Sequence, residues 1–134
     1  MLVWIAVTVG CECAAASPQK DVVAQFYELR EKTLDQRGTK LDVDKLLSLL
    51  TDDVTYQHPM ASVVMTKAQA RHGMLAHLRE GENARYTLRR ARFVDNFAVV
   101  ELILEYTVAG KKISRAGIAV FEFSGDKISR VTEY

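Results

Sequence analysis

The sequence predicts an α+β domain in which three helices come first and pack on a curved antiparallel sheet built from the rest of the chain. Three observations carry this. Apolar residues recur at helical spacing through Leu78, the period changes to two from Arg85 onward, and turn signals fall at Asp95-Asn96, Gly110-Lys111 and Gly125-Asp126. A chain of 134 residues with 49% apolar content closes around one core.

Residues 1–16 differ in character from the remainder of the chain. Met1 to Gly10 is apolar, Cys11, Glu12 and Cys13 interrupt it, and Ala14 to Ala16 offer the small side chains a signal peptidase accepts. The expectation is a secretory leader over 1–16 and a single domain over 17–134 that is secreted or periplasmic. No Lys or Arg precedes the apolar run, and Thr8-Val9-Gly10-Cys11 loosely resembles a lipoprotein processing site, so lipid anchoring through Cys11 stands as the alternative. The run is too short for a membrane span, which needs about 20 apolar residues. Cleavage after Ala16 removes both cysteines and leaves packing alone to hold the domain. The net charge of +1 predicts no strong attraction to nucleic acid or to anionic membrane.

Ser17 and Pro18 read as N-cap and first helical residue, because proline lacks the amide that a helix start leaves unpaired. Val22, Val23, Phe26, Leu29 and Thr33 make the stripe of this helix, and Gly38 ends the segment. Asp42 is the expected cap of a second helix that buries Leu46, Leu47, Leu49 and Leu50. Val54 to Tyr56 then reads as a short strand, stopped at Pro59 by the loss of a ladder donor. Thr66 and Gln69 form a capping box for a third helix striped by Ala70, Met74, Leu75 and Leu78, with Gly81 as its stop.

Four hairpin-linked strands complete the chain. Counting from two-residue turns, Val100, Leu102, Leu104 and Tyr106 share a concave face with Arg115, Gly117, Ala119 and Phe121, and with Arg130, Thr132 and Tyr134 on the last strand. The opposite face carries Val99, Glu101, Ile103, Ile118, Val120, Val131 and Glu133, with Arg90 opposite Glu101. Three helices cannot cover both faces of such a sheet. The second face is therefore expected to meet a second copy of the chain in a homodimer.

His58 is the first candidate for chemistry, since imidazole exchanges protons near neutrality; the bland alternative is a histidine that braces the loop beside Pro59. Tyr56, two residues earlier, shares its face. His72 and His77 lie five apart and so make no helical metal pair, and neither a metal nor a cofactor is expected. There is no GxSxG elbow and no phosphate-cradling glycine loop. Arg85, Arg89, Arg90 and Arg92 alternate across a strand and read as a solvated or ion-paired surface. Arg115 and Arg130 are counted toward the concave side, where an unpaired cation needs an acid, water or an acidic ligand.

Three elements together resemble the nuclear transport factor 2-like superfamily, especially its SnoaL-like and ketosteroid isomerase-like branches: LLTDDVTYQHP after a leucine-rich helix, the capped helix after it, and the ending VFEFSGDKISRVTEY. The resemblance covers roughly Val22 to Tyr134. It implies a cone-shaped fold, a strongly bent sheet closed by helices around a cavity, commonly in dimers. It does not imply one activity, because such proteins include isomerases, dehydratases, epoxide hydrolases, polyketide cyclases and noncatalytic binders. Matched to ketosteroid isomerases, His58 stands where their aspartate base precedes proline, Phe26 where a tyrosine donor stands, and Ala119 at the protonated aspartic acid. Neither Phe26 nor Ala119 can donate a hydrogen bond, so steroid isomerisation by that route is not expected.

The resulting expectation is a pocket for a small, partly apolar and acidic molecule. Phe26, Met74, Leu102, Ala119 and Phe121 would form its wall, with Tyr56, His58 and Arg115 as polar points. As an enzyme it would be a cofactor-free isomerase, dehydratase or cyclase with His58 as general base. The alternative is a noncatalytic secreted binding or dimerisation module.

Overall fold

The computed structural model describes residues 17–134, so the expected leader and both cysteines lie outside the described residues. Pro18 opens helix α1 (Pro18–Thr33) directly after Ser17. Its Val23, Phe26, Tyr27 and Leu29 are buried, the side that the apolar spacing marks. The helix stops at Thr33, before Gly38, because the Asp35 carboxylate accepts from the Arg37 amide at 2.8 Å and turns the backbone locally.

Helix α2 (Lys40–Ser48) begins one cap earlier than expected. Thr39 is the N-cap, and Asp42 sits three residues on as the reciprocal partner of a capping box, its carboxylate accepting from the Thr39 amide at 2.9 Å. Val43, Leu46 and Leu47 face inward. Strand β1 (Leu50–His58) is longer than Val54–Tyr56, because it pairs on both edges, and a 3₁₀ turn (Pro59–Ala61) ends it. The short strand β2 (Val63–Met65), not foreseen in the sequence, folds back antiparallel onto the end of β1 and sets His58 opposite Val63.

Helix α3 (Lys67–Glu80) carries the predicted capping box of Thr66 and Gln69 and ends at Gly81 in the left-handed conformation, φ 58°. A side chain at Gly81 would run into Gln36, so glycine is required there twice over. The meander then runs through β3 (Arg85–Val94), β4 (Phe97–Val108), β5 (Lys111–Ser124) and β6 (Lys127–Glu133). The middle turn is Ala109-Gly110, one residue before the expected pair, with both φ angles positive as a two-residue hairpin demands.

The sheet order is β2-β1-β6-β5-β4-β3. Every hairpin is antiparallel and the β1–β6 junction is parallel, so three helices cover one face of an open, curved, mixed sheet: an α+β cone. The β4–β5 faces agree with the count, because moving the turn by one residue shifts each pairing by two and keeps its side: Val100 lies opposite Ala119, Leu102 opposite Gly117 and Leu104 opposite Arg115. Arg90 lies opposite Glu101, 3.7 Å away.

The last strand departs from the count. Phe123 pairs with Ile128 but Glu122 pairs with Arg130, so Ser129 is an extra residue, a β-bulge whose hydroxyl donates to the Glu122 carbonyl at 3.2 Å. From that point every face is inverted. Arg130 lies on the outer face, paired with Glu122 at 3.0 Å, Thr132 and Tyr134 share that face with it, and Val131 and Glu133 point into the concave side.

The core lies between helices and sheet. Phe26, Leu46, Leu50, Tyr56, Phe121 and Ile128 are almost wholly buried, and each apolar side chain of this size contributes about 1.5–3 kcal/mol by leaving water. Phe26 stands edge-on to Tyr27 and Phe121, with ring centroids 5.3 Å apart in both pairs.

Candidate functional site

A cavity of about 490 Å³ opens at the wide end of the cone. Leu102 and Leu104 of β4 and Met60 beside β1 give it apolar walls, with Ile118 of β5 at the rim. His58, Tyr86, Arg115 and Glu133 supply its polar groups, with Tyr134, counted toward the concave side in the sequence, also in its lining, and the first four reach it for local reasons. His58 is the last residue of β1, where Pro59 turns the chain away. Glu133 is inward because of the Ser129 bulge. Tyr86 is fixed by its own backbone amide, which donates to the Glu31 carboxylate of α1 at 2.7 Å. Arg115 stands opposite Leu104, its guanidinium carbon 6.0 Å from the Tyr106 ring centroid.

His58 is about one-third exposed, 32%, and its Nδ1 lies 3.6 Å from Glu133 Oε2. That separation is slightly too long for a hydrogen bond, and a small side-chain rotation closes it. The His58 ring also leans over Tyr56, with centroids 5.2 Å apart. Arg115 makes no ion pair among the described residues, whereas Arg85, Arg90 and Arg130 are each paired with a glutamate.

Of the residues marked in the sequence, His58, Leu102 and Arg115 line this cavity. Phe26, Tyr56, Met74, Ala119 and Phe121 are packed in the core and do not line it. Glu133 and Tyr86 are the polar residues that sequence patterns did not place here. A signal for Glu133 existed: Ile128 and Val131 are three apart, and two adjacent polar residues between apolar ones break a period of two where a bulge sits.

Behind the cavity lies a sealed polar layer. The Tyr27 and Tyr56 hydroxyls, Arg30 Nε and Glu133 Oε1 are buried and make no hydrogen bond to another protein group. Burial pushes the Tyr86 phenol up to about 12, with Arg30 opposing the rise and Glu133 adding to it. Tyr27 and Tyr56 are driven up further by the same desolvation, with Glu133 as the next cause. Burial works against the Arg30 charge, yet Tyr56, Tyr86 and Glu133 outweigh it and hold the guanidinium above its ordinary value.

Away from the cavity, His77, Glu80 and Glu82 bring one donor atom each within 4.8 Å of one another. Glu82 returns to His77 because of the left-handed turn at Gly81. His77 Nδ1 lies 3.2 Å from Glu80 and 4.0 Å from Glu82, separations that ordinary contacts between a histidine and neighbouring carboxylates reach. Among the described residues no helix is long and apolar enough to cross a membrane.

The SnoaL-like domain family model matches residues 23–131. This chain belongs to the SnoaL-like family. No curated protein sequence matches it. Among solved structures, an NTF2-like protein of unknown function from Burkholderia pseudomallei is similar with a TM-score of 0.71 at 16% identity, over 88% of this chain and 90% of that one. A protein from Catenulispora acidiphila with a ketosteroid isomerase-like fold, in complex with trimethylamine, gives 0.69 at 18%, over 85% and 84%. An LEH-like epoxide hydrolase of M. tuberculosis gives 0.69 at 14%, over 87% and 81%. At such identities the likeness shows the NTF2-like cone fold of this SnoaL-like chain and no particular reaction.

Proposed function

We propose that this SnoaL-like protein binds a small, partly apolar carboxylic acid in the cone and catalyses a cofactor-free proton transfer on it, as an isomerase, dehydratase or cyclase does. The observation that carries this reading is the His58–Glu133 pair at the cavity wall. A carboxylate beside Nδ1 favours the imidazole that keeps Nε2 free, the arrangement a general base needs. Arg115, without a carboxylate partner among the described residues, is available for the anionic end of the ligand, while Leu102, Leu104 and Ile118 accept its body.

The test is deuterium wash-in. Small apolar keto acids incubated with the protein in deuterated buffer are followed by NMR at the carbon next to the carbonyl. Exchange is expected to exceed the buffer rate and to fall roughly 10²–10⁴-fold in His58→Ala. Exchange equal in the two proteins, with binding retained, overturns the assignment. It leaves the second reading, a noncatalytic binding module in which His58 and Glu133 only brace the cavity mouth, which the 3.6 Å approach between them also favours.

Secretion, with residues 1–16 as leader, belongs to the same proposal and rests on the sequence alone. A homodimer through the outer sheet face is proposed with it. Phe97, Val99 and Ile118 are 43%, 43% and 47% exposed there. Two of the charged pairs beside them are matched within one chain, Arg90 with Glu101 and Arg130 with Glu122, so a second copy meets no uncompensated charge from these pairs, while Arg92, opposite Val99, has no ion-pair partner among the described residues.

A further inference from the structure

The separations among His77, Glu80 and Glu82 are by themselves unremarked contacts, but the way His77 meets its neighbours is not that of a simple pair. His77 Nδ1 is sealed from solvent and makes no hydrogen bond, although a Glu80 carboxylate oxygen lies only 3.2 Å away. That oxygen is near enough to accept, so what fails is direction: it stands to the side of the axis along which the ring nitrogen bonds. A hydrogen-bonded carboxylate sits on that axis, whereas a shared metal ion occupies the axis itself and leaves the second ligand beside it. Bonds of about 2.0–2.1 Å to imidazole nitrogen and carboxylate oxygen set neighbouring donors about 3.3–3.4 Å apart around a tetrahedral ion. The Nδ1 to Glu80 distance is already close to that edge, and Glu82 Oε1, 4.0 Å from Nδ1, needs only rotation of its own side chain to reach it. The backbone beneath the donors is held. His77 and Glu80 stand three apart and so share a side of the last turn of α3, and the Gly81 amide closes that turn by donating to the His77 carbonyl at 3.2 Å. The Glu82 carbonyl accepts from the Thr107 amide of β4 at 3.1 Å, and the Asn83 amide donates to the carbonyl of Leu34, just after α1, at 2.9 Å. Little ordering is then left for a ligand to impose. The place also suits a cation, because two carboxylates stand at the negative end of the helix dipole.

We propose that His77 Nδ1, Glu80 and Glu82 bind a divalent transition-metal ion, zinc in the first instance, and that the ion clamps the end of α3 to the connection leading into β3. One imidazole nitrogen and two carboxylate oxygens suit zinc, whereas magnesium and calcium take oxygen ligands alone and more of them. His77 and Glu82 are half-buried and Glu80 is exposed, so water reaches the fourth position and no further protein donor is required. The clamp follows from the backbone bonds of Glu82 and Asn83. An ion held by Glu82 joins the last turn of α3 to a segment that is tied both to β4 and to the residue after α1, and an ion that binds the folded chain alone stabilises it. None of the three residues lines the cavity, so the site stands apart from the acid–base reading of His58.

The test is calorimetric titration of zinc chloride into the full chain carrying Cys11→Ser and Cys13→Ser, which removes two thiols that would take zinc themselves. A single zinc per chain is expected. In that chain His77→Ala and Glu82→Gln should each weaken zinc binding at least about tenfold, the least that loss of even an outer partner costs a metal site. His58→Ala should leave the affinity unchanged, which separates this site from the cavity wall, and magnesium chloride should not compete. Thermal melts followed by circular dichroism should rise with zinc concentration in the parent chain and stay flat in Glu82→Gln. Equal zinc affinity in the parent chain and His77→Ala overturns the proposal, and so does the absence of zinc uptake. Magnesium uptake as tight as that of zinc and indifferent to His77→Ala overturns it too, by reducing the cluster to an acidic pair. If His77→Ala does not fold, Glu82→Gln decides, and unchanged zinc affinity there overturns the site equally. Weakened binding in both variants with melts that zinc does not move overturns the clamp.

Discussion

At the scale of single residues, the tyrosines at and behind the cavity wall give the molecule a sharp alkaline limit. Burial raises the Tyr86 phenol from 10.0 to about 12 and raises Tyr27 and Tyr56 as well. A group whose folded-state pKa is raised contributes stability that is complete below its unfolded value and is lost as pH climbs toward the folded one. Native protein should therefore weaken from pH 10 upward, and Tyr86 alone accounts for roughly 2–3 kcal/mol by pH 12. Urea melts monitored by circular dichroism at pH 8, 10 and 11.5 check the slope, and Tyr86→Phe should flatten it. An equal slope in the variant would mean that this phenol is not the one resisting ionisation. Phe26 supplies the complementary residue-scale expectation. It is buried between the Tyr27 and Phe121 rings, and Phe26→Ala should cost about 3–5 kcal/mol in the same assay, a core effect with no ligand present.

At the scale of elements, the extra residue Ser129 makes a prediction that separates register from sequence length. Because the bulge holds one residue on β6 against none on β5, deleting Ser129 should preserve the pairs Phe123–Ile128 and Phe121–Val131 and leave Glu133 inward. Inserting one residue after Arg130 should instead turn Val131 outward and bring a polar residue into the core. Loss of the buried valine alone costs about 1.5–3 kcal/mol. Proton–nitrogen correlation spectra of the two variants are the check. A folded insertion variant beside an unfolded deletion variant would show that the bulge does not set the register.

The same strand shows where sequence patterns stop being legible. Helix α1 announces itself through Pro18, which has no amide to leave unpaired although the Ser17 side chain makes no cap bond, and α3 through the reciprocal capping box of Thr66 and Gln69, because both signals act within three residues. His58 is legible for the same reason, since Pro59 fixes locally where β1 must end. Arg115 comes through by parity, because β4 and β5 pair without interruption. Glu133 does not, since its direction depends on a bulge four residues earlier. Nor does the sealed layer, in which buried polar atoms of Tyr27, Arg30, Tyr56 and Glu133 come from α1, β1 and β6 and gather only once these elements have packed. The cavity wall differed for a related reason. Phe26, Met74 and Phe121 are large enough to fill the narrow end of the cone, so the open volume lies further along, over Leu102 and Leu104.

At the scale of the whole molecule, the arrangement divides into a filled narrow end, an open wide end and an uncovered outer sheet face. The filled end carries the stability, which frees the wide end to keep a charged pair and an unpaired Arg115 around a cavity. The outer face decides the assembly. Phe97, Val99 and Ile118 share it with ion pairs that are internally balanced, so association should depend on apolar contact and only weakly on salt. Sedimentation of residues 17–134 at micromolar concentration should show a dimer at both 50 mM and 500 mM sodium chloride, on the reasoning that screening acts on unpaired surface charge. Val99→Lys should yield monomer with an unchanged circular dichroism spectrum, since that side chain points away from the core, opposite Val120, and is 43% exposed. Sedimentation of the native chain as a monomer throughout would remove the dimer while leaving the cavity and its charged pair as they are. Val99 does not line the cavity, so ligand affinity measured alongside tells whether the two faces of the sheet are independent: a monomer that binds as the dimer does places the whole site within one chain.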